Sequence, residues 1–300
     1  MKIGFEGAML ALVLAAGLCR PVSGQTANSA PKYEVYAVEY AVVPQFPVAG
    51  LVAGADKERK LDIAMMFWVI KGGGHIALFD CGFYRDQFVR QWKPQQFVKP
   101  SDAMAKLNLK PEDVTDVIVS HMHWDHADGA DLFPNAKIWL QRDEYQYYTG
   151  EAWQMDPGID LNTQEGRRAT NAKHGGVFAD DVLAVVKANV GGHLQFVNGD
   201  DQEVLPGIRC YTGGKHTYQS QFCSVQTRSG TVVLASDNMY LYENLQKHAA
   251  IAQTLDANSN LRAQDRMKRL ATKPELIVPG HDPAVMQNFP KAGDGVVRID

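Results

Sequence analysis

The sequence predicts a layered α/β fold in a single domain, with β-sheets inside and helices outside. Segments rich in β-forming residues alternate with segments of helical pattern, and the alternation repeats in two similar halves of the chain. No low-complexity linker divides residues 25–300, and no solenoid or propeller period repeats within them. Strands and helices that alternate in this way bury their apolar faces by stacking in layers, which gives one sandwich-like domain.

The first half of the chain begins with strands. The predicted strands are residues 33–43, 63–70, 76–79, 114–120 and 136–140, and the predicted helices are residues 84–92, residues 101–107 and one that begins at Arg142. Residues 44–60 connect the first two strands and contain Phe46, Val48, Leu51 and Val52. Because this connection is too apolar to be purely solvated, we expect either a lid over a site or a packed segment.

The second half begins after a segment without periodicity. Residues 149–176 are rich in glycine and polar side chains, which predicts an extended surface excursion. The predicted elements that follow are strands at 194–197, 208–212, 222–227, 231–235 and 276–278, and helices at 180–188, 240–248 and 255–271.

The composition is that of an ordinary globular protein. Of the 300 residues, 45% are hydrophobic and 21% are charged, which excludes a disordered or fibrous chain. The net charge is −4, and basic residues are interspersed with acidic ones. Because no basic patch indicates nucleic acid or an anionic membrane as a partner, we expect a small substrate that is neutral or weakly charged.

Residues 1–24 have the layout of a secretory signal peptide. Lys2 lies near the start, residues 9–18 form an apolar run, and small residues lead up to Gly24. The run is too short to span a bilayer. We therefore expect cleavage near Gly24, a mature domain of residues 25–300 and a periplasmic location without membrane contact. The alternative is an N-terminal helix that is kept in the fold.

Only Cys81, Cys210 and Cys223 remain after removal of the leader. Three cysteines are too few for a disulfide framework, and an odd number cannot all pair within one chain. The hydrophobic core must therefore stabilise the fold. Cys210 and Cys223 flank a predicted hairpin. They either pair in an oxidising compartment or stay buried as free thiols.

The run His121-Met122-His123-Trp124-Asp125-His126 directly follows a predicted strand. Residues two apart in an extended chain point to the same side, so His121 and His123 can bind one cation together. Asp125 and His126 lie where the chain turns, and they offer an oxygen and a nitrogen in other directions. Imidazole and carboxylate at this density suit zinc, with iron, manganese or cobalt as alternatives.

Three further potential ligands each follow a predicted strand, namely His216, Asp237 and His281. The HxHxDH run with these three residues in this order resembles the metallo-β-lactamase superfamily over residues 33–281. The resemblance implies a four-layer αβ/βα sandwich with two metal ions, taken here as Zn²⁺. It implies that one ion is held by His121, His123 and His216, the other by Asp125, His126 and His281, and that Asp237 bridges the two.

The residues after Asp237 resemble those of the N-acyl homoserine lactone hydrolases within the superfamily. Asp237-Asn238-Met239-Tyr240 places a tyrosine three positions after the bridging aspartate. In that group the tyrosine phenol supports the substrate carbonyl or the leaving oxygen. The alternative is that Tyr240 is a core aromatic at a helix start. Residues 213–218, Gly-Gly-Lys-His-Thr-Tyr, depart from the Pro-Gly-His-Thr-Pro-Gly of those enzymes, so the mouth of the site differs.

The implied activity is metal-dependent hydrolysis of a lactone. Two cations lower the pKa of a bridging water toward neutrality, and the resulting hydroxide attacks the ester carbonyl. A metal ion and Tyr240 stabilise the oxyanion, and ring opening yields a hydroxy acid. We predict Asp125, Asp237 and Tyr240 as catalytic residues of a quorum-quenching lactonase, with N-acyl homoserine lactones as candidate substrates.

Besides a redox role with iron, two other functions remain as alternatives. The first is hydrolysis of another ester, a thioester or a β-lactam on the same binuclear site. The β-lactamases lack the bridging carboxylate predicted for Asp237, and the glutathione-thioester hydrolases carry an added helical domain for which the stretch after Asp237 is too short. The second alternative is a secreted binding protein without turnover, although all seven predicted ligands are present.

Among the remaining residues of interest, one has two interpretations and the others have no predicted role in the reaction. Asp80 follows a predicted strand and either orients a ligand histidine through its second ring nitrogen or forms a turn. We expect Trp124 to pack near the metals. The remaining histidines are predicted to be structural or solvated: His75, His174, His193 and His248.

Overall fold

Two β-sheets pack face to face, and helices cover the outer face of each. The computed structural model describes residues 1, 4, 31–154, 159–160 and 162–300. The predicted signal peptide, residues 1–24, lies outside the described residues apart from Met1 and Gly4. Apart from Met1 and Gly4, all the described residues lie within the predicted mature domain, residues 25–300.

The described part of the chain alternates strands and helices from end to end. Its strands are β1 (Glu34–Pro47), β2 (Lys60–Gly72), β3 (His75–Phe79), β4 (Asp116–Ile118), β5 (Lys137–Gln141), β6 (Leu194–Val197), β7 (Gln202–Leu205), β8 (Ile208–Thr212), β9 (Gln221–Thr227), β10 (Gly230–Ser236), β11 (Ile277–Pro279), β12 (Lys291–Gly293) and β13 (Val296–Arg298). Its α-helices are α1 (Asp86–Trp92), α2 (Pro100–Ala103), α3 (Trp124–Ala127), α4 (Arg142–Thr149), α5 (Gln164–His174), α6 (Ala179–Val190), α7 (Tyr242–Lys247), α8 (Ala257–Leu270) and α9 (Val285–Asn288). None of the helices in these ranges has both the length and the apolarity needed to cross a bilayer.

Both sheets combine antiparallel and parallel pairing. Among the described residues, the first sheet has the strand order β12-β13-β1-β2-β3-β4-β5-β6, and the second has the order β11-β10-β9-β8-β7. Strands β1 to β3 run antiparallel, whereas β3 to β6 run parallel. In the second sheet β10 pairs in parallel with β11 and antiparallel with β9. The loops that leave β4, β8, β10 and β11 carry the polar residues of the site described below.

Strand β2 shows how the layers form. Successive side chains of a strand point to opposite faces of the sheet, so a strand covered on both sides is apolar throughout. The side chains on one face join the core between the two sheets, namely Ala64, Met66, Trp68 and Ile70. The side chains on the other face join the core beneath the helices, namely Ile63, Met65, Phe67 and Val69. On the far side of the second sheet, Ala263 and Met267 of α8 cover the strands. The order helix, sheet, sheet, helix confirms the predicted four-layer α/β fold.

Several parts of the chain differ from the element prediction. Residues 149–176 contain helix α5 and a 3₁₀ helix, Glu151–Trp153, where an excursion without secondary structure was predicted. Helix α5 is polar along its length, so it lacks the apolar periodicity by which a helix is recognised. The short strands β7, β12 and β13 and the short helices α3 and α9 were not predicted either. Strand β13 nevertheless pairs with β1 and completes the first sheet on that side.

Two of the three cysteines of the predicted mature domain form a disulfide bond. Cys210 on β8 and Cys223 on β9 are cross-strand neighbours, with their Cα atoms 4.3 Å apart, and their sulfur atoms are bonded. Cys81 is a buried free thiol. The structure thus decides between the two alternatives for Cys210 and Cys223, because the register of the hairpin places them directly opposite each other.

Candidate metal centre

Seven polar side chains meet where strands of both sheets end. His121 and His123 follow β4 of the first sheet, and Asp125 and His126 lie on the short helix α3 that comes next. The other three follow strands of the second sheet: His216 after β8, Asp237 after β10 and His281 after β11. All seven residues predicted as metal ligands are therefore brought together, although they span 160 positions of the chain.

The first group consists of His121, His123, His216 and Asp237. The Nε2 atom of His216 lies 2.9 Å from Nδ1 of His123 and 3.3 Å from Oδ2 of Asp237. The Nε2 atom of His121 lies 3.7 Å from the same carboxylate oxygen. One ligand atom from each side chain thus faces a common point, and these atoms all lie within 4.8 Å of one another.

The second group consists of Asp125, His126, His281 and, again, Asp237. The Oδ1 atom of Asp237 lies 3.0 Å from Nε2 of His281 and 3.2 Å from Nε2 of His126. The Oδ2 atom of Asp125 lies 3.4 Å from His126 Nε2 and 3.6 Å from His281 Nε2. The two oxygens of Asp237 therefore face different groups, which is the bridging arrangement that the resemblance implies.

The residues of both groups fit divalent metal ions. Buried polar atoms are nearly always hydrogen-bonded, yet the buried Nε2 atoms of His121 and His126 have no hydrogen-bond partner among the described residues. Burial lowers the pKa of His121 well below its usual value and that of His123 to about 3, which favours the neutral imidazole that metal ligation requires. In the second group burial also opposes the charged imidazole, but the nearby carboxylates, Asp237 foremost, together outweigh burial and raise the pKa of His126 and His281. Burial opposes the charge of Asp237, but His126 and His281 hold its pKa well below its ordinary value.

In four of the five histidines, the ring nitrogen that faces away from the centre is held by the surrounding protein. His126 donates from Nδ1 to Oδ2 of Asp80 at 2.8 Å, and Asp80 also accepts from the backbone N–H of Ser120 at 2.7 Å. The remaining contacts are His121 Nδ1 with Ser120 Oγ at 2.8 Å, His216 Nδ1 with the Gln253 carbonyl at 2.8 Å, and His281 Nδ1 with the Ala64 carbonyl at 3.0 Å. Such contacts fix the ring orientation of ligand histidines. Asp80 thus orients a histidine, and its backbone is in the left-handed region, with φ of 60°.

Tyr240 lies at the edge of the centre. Its hydroxyl is 3.4 Å from Nδ1 of His216, and the side chain is almost fully buried. Burial and the nearby carboxylates of Asp237 and Asp125 raise the pKa of Tyr240 well above its ordinary value, so the phenol stays protonated and can donate a hydrogen bond. The residue lines the same pocket as Asp125 and Asp237, and it also belongs to the buried hydrophobic core on that side of the first sheet.

A pocket of about 240 Å³ opens over the centre. Its polar floor is formed by His123, Asp125, Asp237 and His281, with Tyr240 beside them. Its other walls are mainly apolar and aromatic: Val43, Phe46, Leu51, Ile63, Met65, Trp92 and Trp124. Pockets that are apolar with a few convergent polar groups are typical of small-molecule sites.

The connection between β1 and β2 forms one wall of this pocket. Val48, Leu51 and Val52 are fully buried, whereas Phe46 stacks on Trp92 with ring centroids 6.0 Å apart. Trp92 in turn stacks on Trp124 at 5.5 Å. Within residues 44–60, Val48, Leu51 and Val52 are therefore packed, Phe46 and Leu51 also line the pocket, and residues 53–60 are mostly exposed. Trp124 packs beside the centre as predicted.

The loop that carries His216 requires its two glycines. A Cβ atom on Gly213 would lie 2.0 Å from Oδ1 of Asn238, and one on Gly214 would lie 2.3 Å from Cα of Asn260. Asn238 accepts hydrogen bonds through Oδ1 from the Gly214 N–H at 3.0 Å and from Ser220 Oγ at 2.8 Å. The two glycines that replace the Pro-Gly pattern of the lactone hydrolases therefore pack closely against Asn238 and Asn260, for which no role was predicted.

Two further residues near the centre were not predicted. Gly176 has φ of 82°, and a Cβ atom there would lie 2.8 Å from the ring of His123, so only glycine lets this segment pack on the histidine. Glu144 is fully buried and accepts hydrogen bonds from both loops that carry histidines of the first group. A carboxylate in a polar helix and a glycine in a glycine-rich segment carry no local signal that separates them from surface residues.

The four other histidines of the described chain belong to neither group. His75 contacts Asp116 at 2.9 Å, and His248 pairs with Asp265 at 3.2 Å. His174 stacks on Trp153 with ring centroids 4.3 Å apart, and His193 is exposed. Their surroundings agree with the predicted structural or solvated roles.

Residues 66–281 match the family model of the metallo-beta-lactamase superfamily. The chain belongs to this superfamily. Its fold implies the use of divalent metal, and the two groups around Asp237 are the candidate sites.

Within the superfamily the chain is similar to N-acyl homoserine lactonases. It is 30% identical to one from Bacillus cereus over 188 residues, which are 60% of this chain and 60% of that protein. It is 27% identical to the N-acyl homoserine lactonase AttM of Agrobacterium fabrum over 201 residues, which are 64% of this chain and 66% of AttM. The chain thus spans about 60% of the length of the first relatives it matches.

Solved structures of the same kind share the fold. The structure of an N-acyl homoserine lactone hydrolase, with the product N-hexanoyl-L-homoserine bound at the catalytic metal center, aligns with a TM-score of 0.66 at 19% identity. The alignment covers 88% of this chain and 99% of that one. At this identity the likeness shows the common fold.

Proposed function

We propose that this protein is a metal-dependent hydrolase that opens lactones, with N-acyl homoserine lactones as candidate substrates. The observation that carries the proposal is the position of Asp237, whose two oxygens face two ligand groups at the floor of an apolar pocket. The similarity to N-acyl homoserine lactonases supports the lactone as substrate class.

Two Zn²⁺ ions are the proposed cofactors. His121, His123 and His216 would hold one ion, Asp125, His126 and His281 would hold the other, and Asp237 would contact both. Histidine nitrogen and carboxylate oxygen are ligands that zinc prefers. When bound, the two ions would supply a hydroxide nucleophile at neutral pH and polarise the ester carbonyl.

The residues of the chain itself would bind and orient the lactone. The hydroxyl of Tyr240 would donate a hydrogen bond to the carbonyl or leaving oxygen of the substrate, since its raised pKa keeps it protonated. Asp125 and Asp237, at the pocket floor, would balance the charge of the cations. Phe46, Trp92 and their apolar neighbours would receive the hydrocarbon part of the substrate and exclude water.

A side-by-side substrate assay tests this function. We expect the purified protein to contain two zinc ions per chain by elemental analysis, and to hydrolyse short- and long-chain homoserine lactones and aryl lactones in preference to nitrocefin and aryl esters. Protein stripped with a chelator and protein reloaded with zinc serve as controls. Dominant turnover of the β-lactam with untouched lactones would favour the alternative hydrolase function over the lactonase.

We also propose that residues 1–24 direct export and that the mature domain lies in the periplasm. The charged and apolar layout of the leader supports export, and the Cys210–Cys223 bond fits an oxidising compartment. Intact-mass measurement of the protein from a periplasmic extract should give a chain that begins near Gln25 and lacks the two thiol hydrogens of this pair. A full-length mass confined to the cytoplasmic fraction would contradict export.

A further inference from the structure

Glu144 is a fully buried carboxylate in helix α4, whose other charged residues are exposed. Its Oε1 accepts hydrogen bonds from the hydroxyl of Thr217 at 2.6 Å and from the backbone N–H of Met122 at 3.1 Å. Its Oε2 accepts from the backbone N–H of Gln219 at 2.6 Å. A buried carboxylate is costly unless it is hydrogen-bonded, and here three donors from two loops stabilise it.

The three donors flank the histidines of one ligand group. Met122 lies between His121 and His123 in the loop after β4, which belongs to the first sheet. Thr217 directly follows His216 in the loop after β8, which belongs to the second sheet. A single side chain thus connects two loops from different sheets, and these loops carry every histidine of the first group.

The second group is held by other contacts. His126 is oriented by Asp80, and His281 by the carbonyl of Ala64. Neither of these contacts involves helix α4. His121 and His216 of the first group also keep their contacts with Ser120 and Gln253. A loss of Glu144 should therefore act on the two loops that carry the first group, which no longer share this connection.

We propose that Glu144 is a positioning residue that fixes the distance between the His121–His123 loop and the His216 loop, and so sets how tightly the first group holds its metal ion. This inference rests on the proposed function, because it takes the two groups as metal sites. Glu144 acts through the loops and does not touch the centre itself.

The test compares Glu144→Gln with Asp143→Asn. Glutamine keeps the size of the side chain but replaces one acceptor oxygen with an N–H₂ group, which would face either the N–H of Gln219 or the donors of Thr217 and Met122. Asp143 precedes Glu144 in the same helix and is exposed, so its variant changes the same charge without removing any of the hydrogen bonds that Glu144 makes to the loops. Both proteins are loaded with zinc, and zinc release to an excess of a coloured chelator is followed in time.

We expect Glu144→Gln to release one of the two zinc ions about 10–100-fold faster than the wild type, the range typical for loss of a partner outside the ligand set. The other ion should leave at the wild-type rate, and Asp143→Asn should release both at wild-type rates. Hydrogen exchange should become faster at the amides of Met122 and Gln219 in the Glu144 variant, and stay unchanged near His281.

Each of the other outcomes contradicts either the proposed function or the role of Glu144. A wild type that binds no zinc contradicts the proposed function. A wild type that binds zinc, together with a Glu144 variant that releases both ions unchanged or both equally faster, contradicts only the selective role of Glu144. If the Glu144 variant does not fold, Thr217→Val removes one of the three hydrogen bonds and should speed the release of the same single ion by a smaller factor. Unchanged release from Thr217→Val overturns the inference in that case.

Discussion

Asp237→Asn is expected to lower kcat/KM for lactone hydrolysis on the order of 10³-fold, which corresponds to about 4 kcal/mol of lost transition-state stabilisation. The variant keeps the shape of the side chain but removes its negative charge and replaces one of the two oxygens that face the ligand groups. Because one amide cannot serve both groups, we also expect fewer than two zinc ions per chain. Steady-state kinetics and elemental analysis of the same preparation measure both effects.

Asp294→Asn is the matched control for this variant. Asp294 is exposed and lies near the C-terminal end of the chain, away from the pocket lining. Its variant should keep wild-type kinetics and metal content. Full activity of Asp237→Asn with two bound zinc ions would refute the bridging role of the carboxylate.

Tyr240→Phe is expected to lower kcat about 10²-fold, the usual cost of removing one hydrogen-bond donor to a developing oxyanion. The metal content should not change, because the hydrogen-bond contact of the hydroxyl among the described residues is with the outward nitrogen of His216, at 3.4 Å. The free energy of unfolding should change by about 1 kcal/mol or less, since one long neutral hydrogen bond is lost. Kinetics, elemental analysis and denaturant unfolding separate these three quantities.

Tyr211→Phe serves as a control for Tyr240→Phe. Tyr211 is also buried, and its hydroxyl makes one contact of 3.3 Å, with Ser224 on the second sheet. Tyr211→Phe should change the free energy of unfolding by about as much as Tyr240→Phe does, but it should keep the wild-type kcat. An unchanged kcat in Tyr240→Phe would instead support the alternative that Tyr240 is only a core aromatic.

Local spacing was enough to predict part of the site. The alternation of His121 and His123 and the turn at Asp125 and His126 are properties of a short segment, so the pattern alone indicated a metal cluster. His216, Asp237 and His281 could be predicted as single polar residues after strands. Their division into two groups came from the resemblance, and the structure arranges the side chains in the same division.

Other features lie beyond the reach of local patterns. Helix α5 has no apolar face by which a helix could be recognised, and strands of three residues are too short to show alternation. Glu144 sits in a helix whose neighbouring residues are exposed, and only the packing of two loops against it explains its burial. Gly176 matters because the ring of His123 approaches it, a contact between segments more than fifty positions apart.

The amino-acid sequence by itself determined the layered α/β fold, the cluster at His121–His126, and the positions of His216, Asp237 and His281. Hydrophobic periodicity and the type of residue that follows a strand are properties of short segments, so both can be predicted locally. The tertiary structure alone decided that Asp237 faces both ligand groups, that Cys210 and Cys223 pair, that Tyr240 lines the pocket, and that Glu144 links two loops. These are relations between distant segments. They depend on strand order and register in two packed sheets, and no short stretch of sequence contains that information.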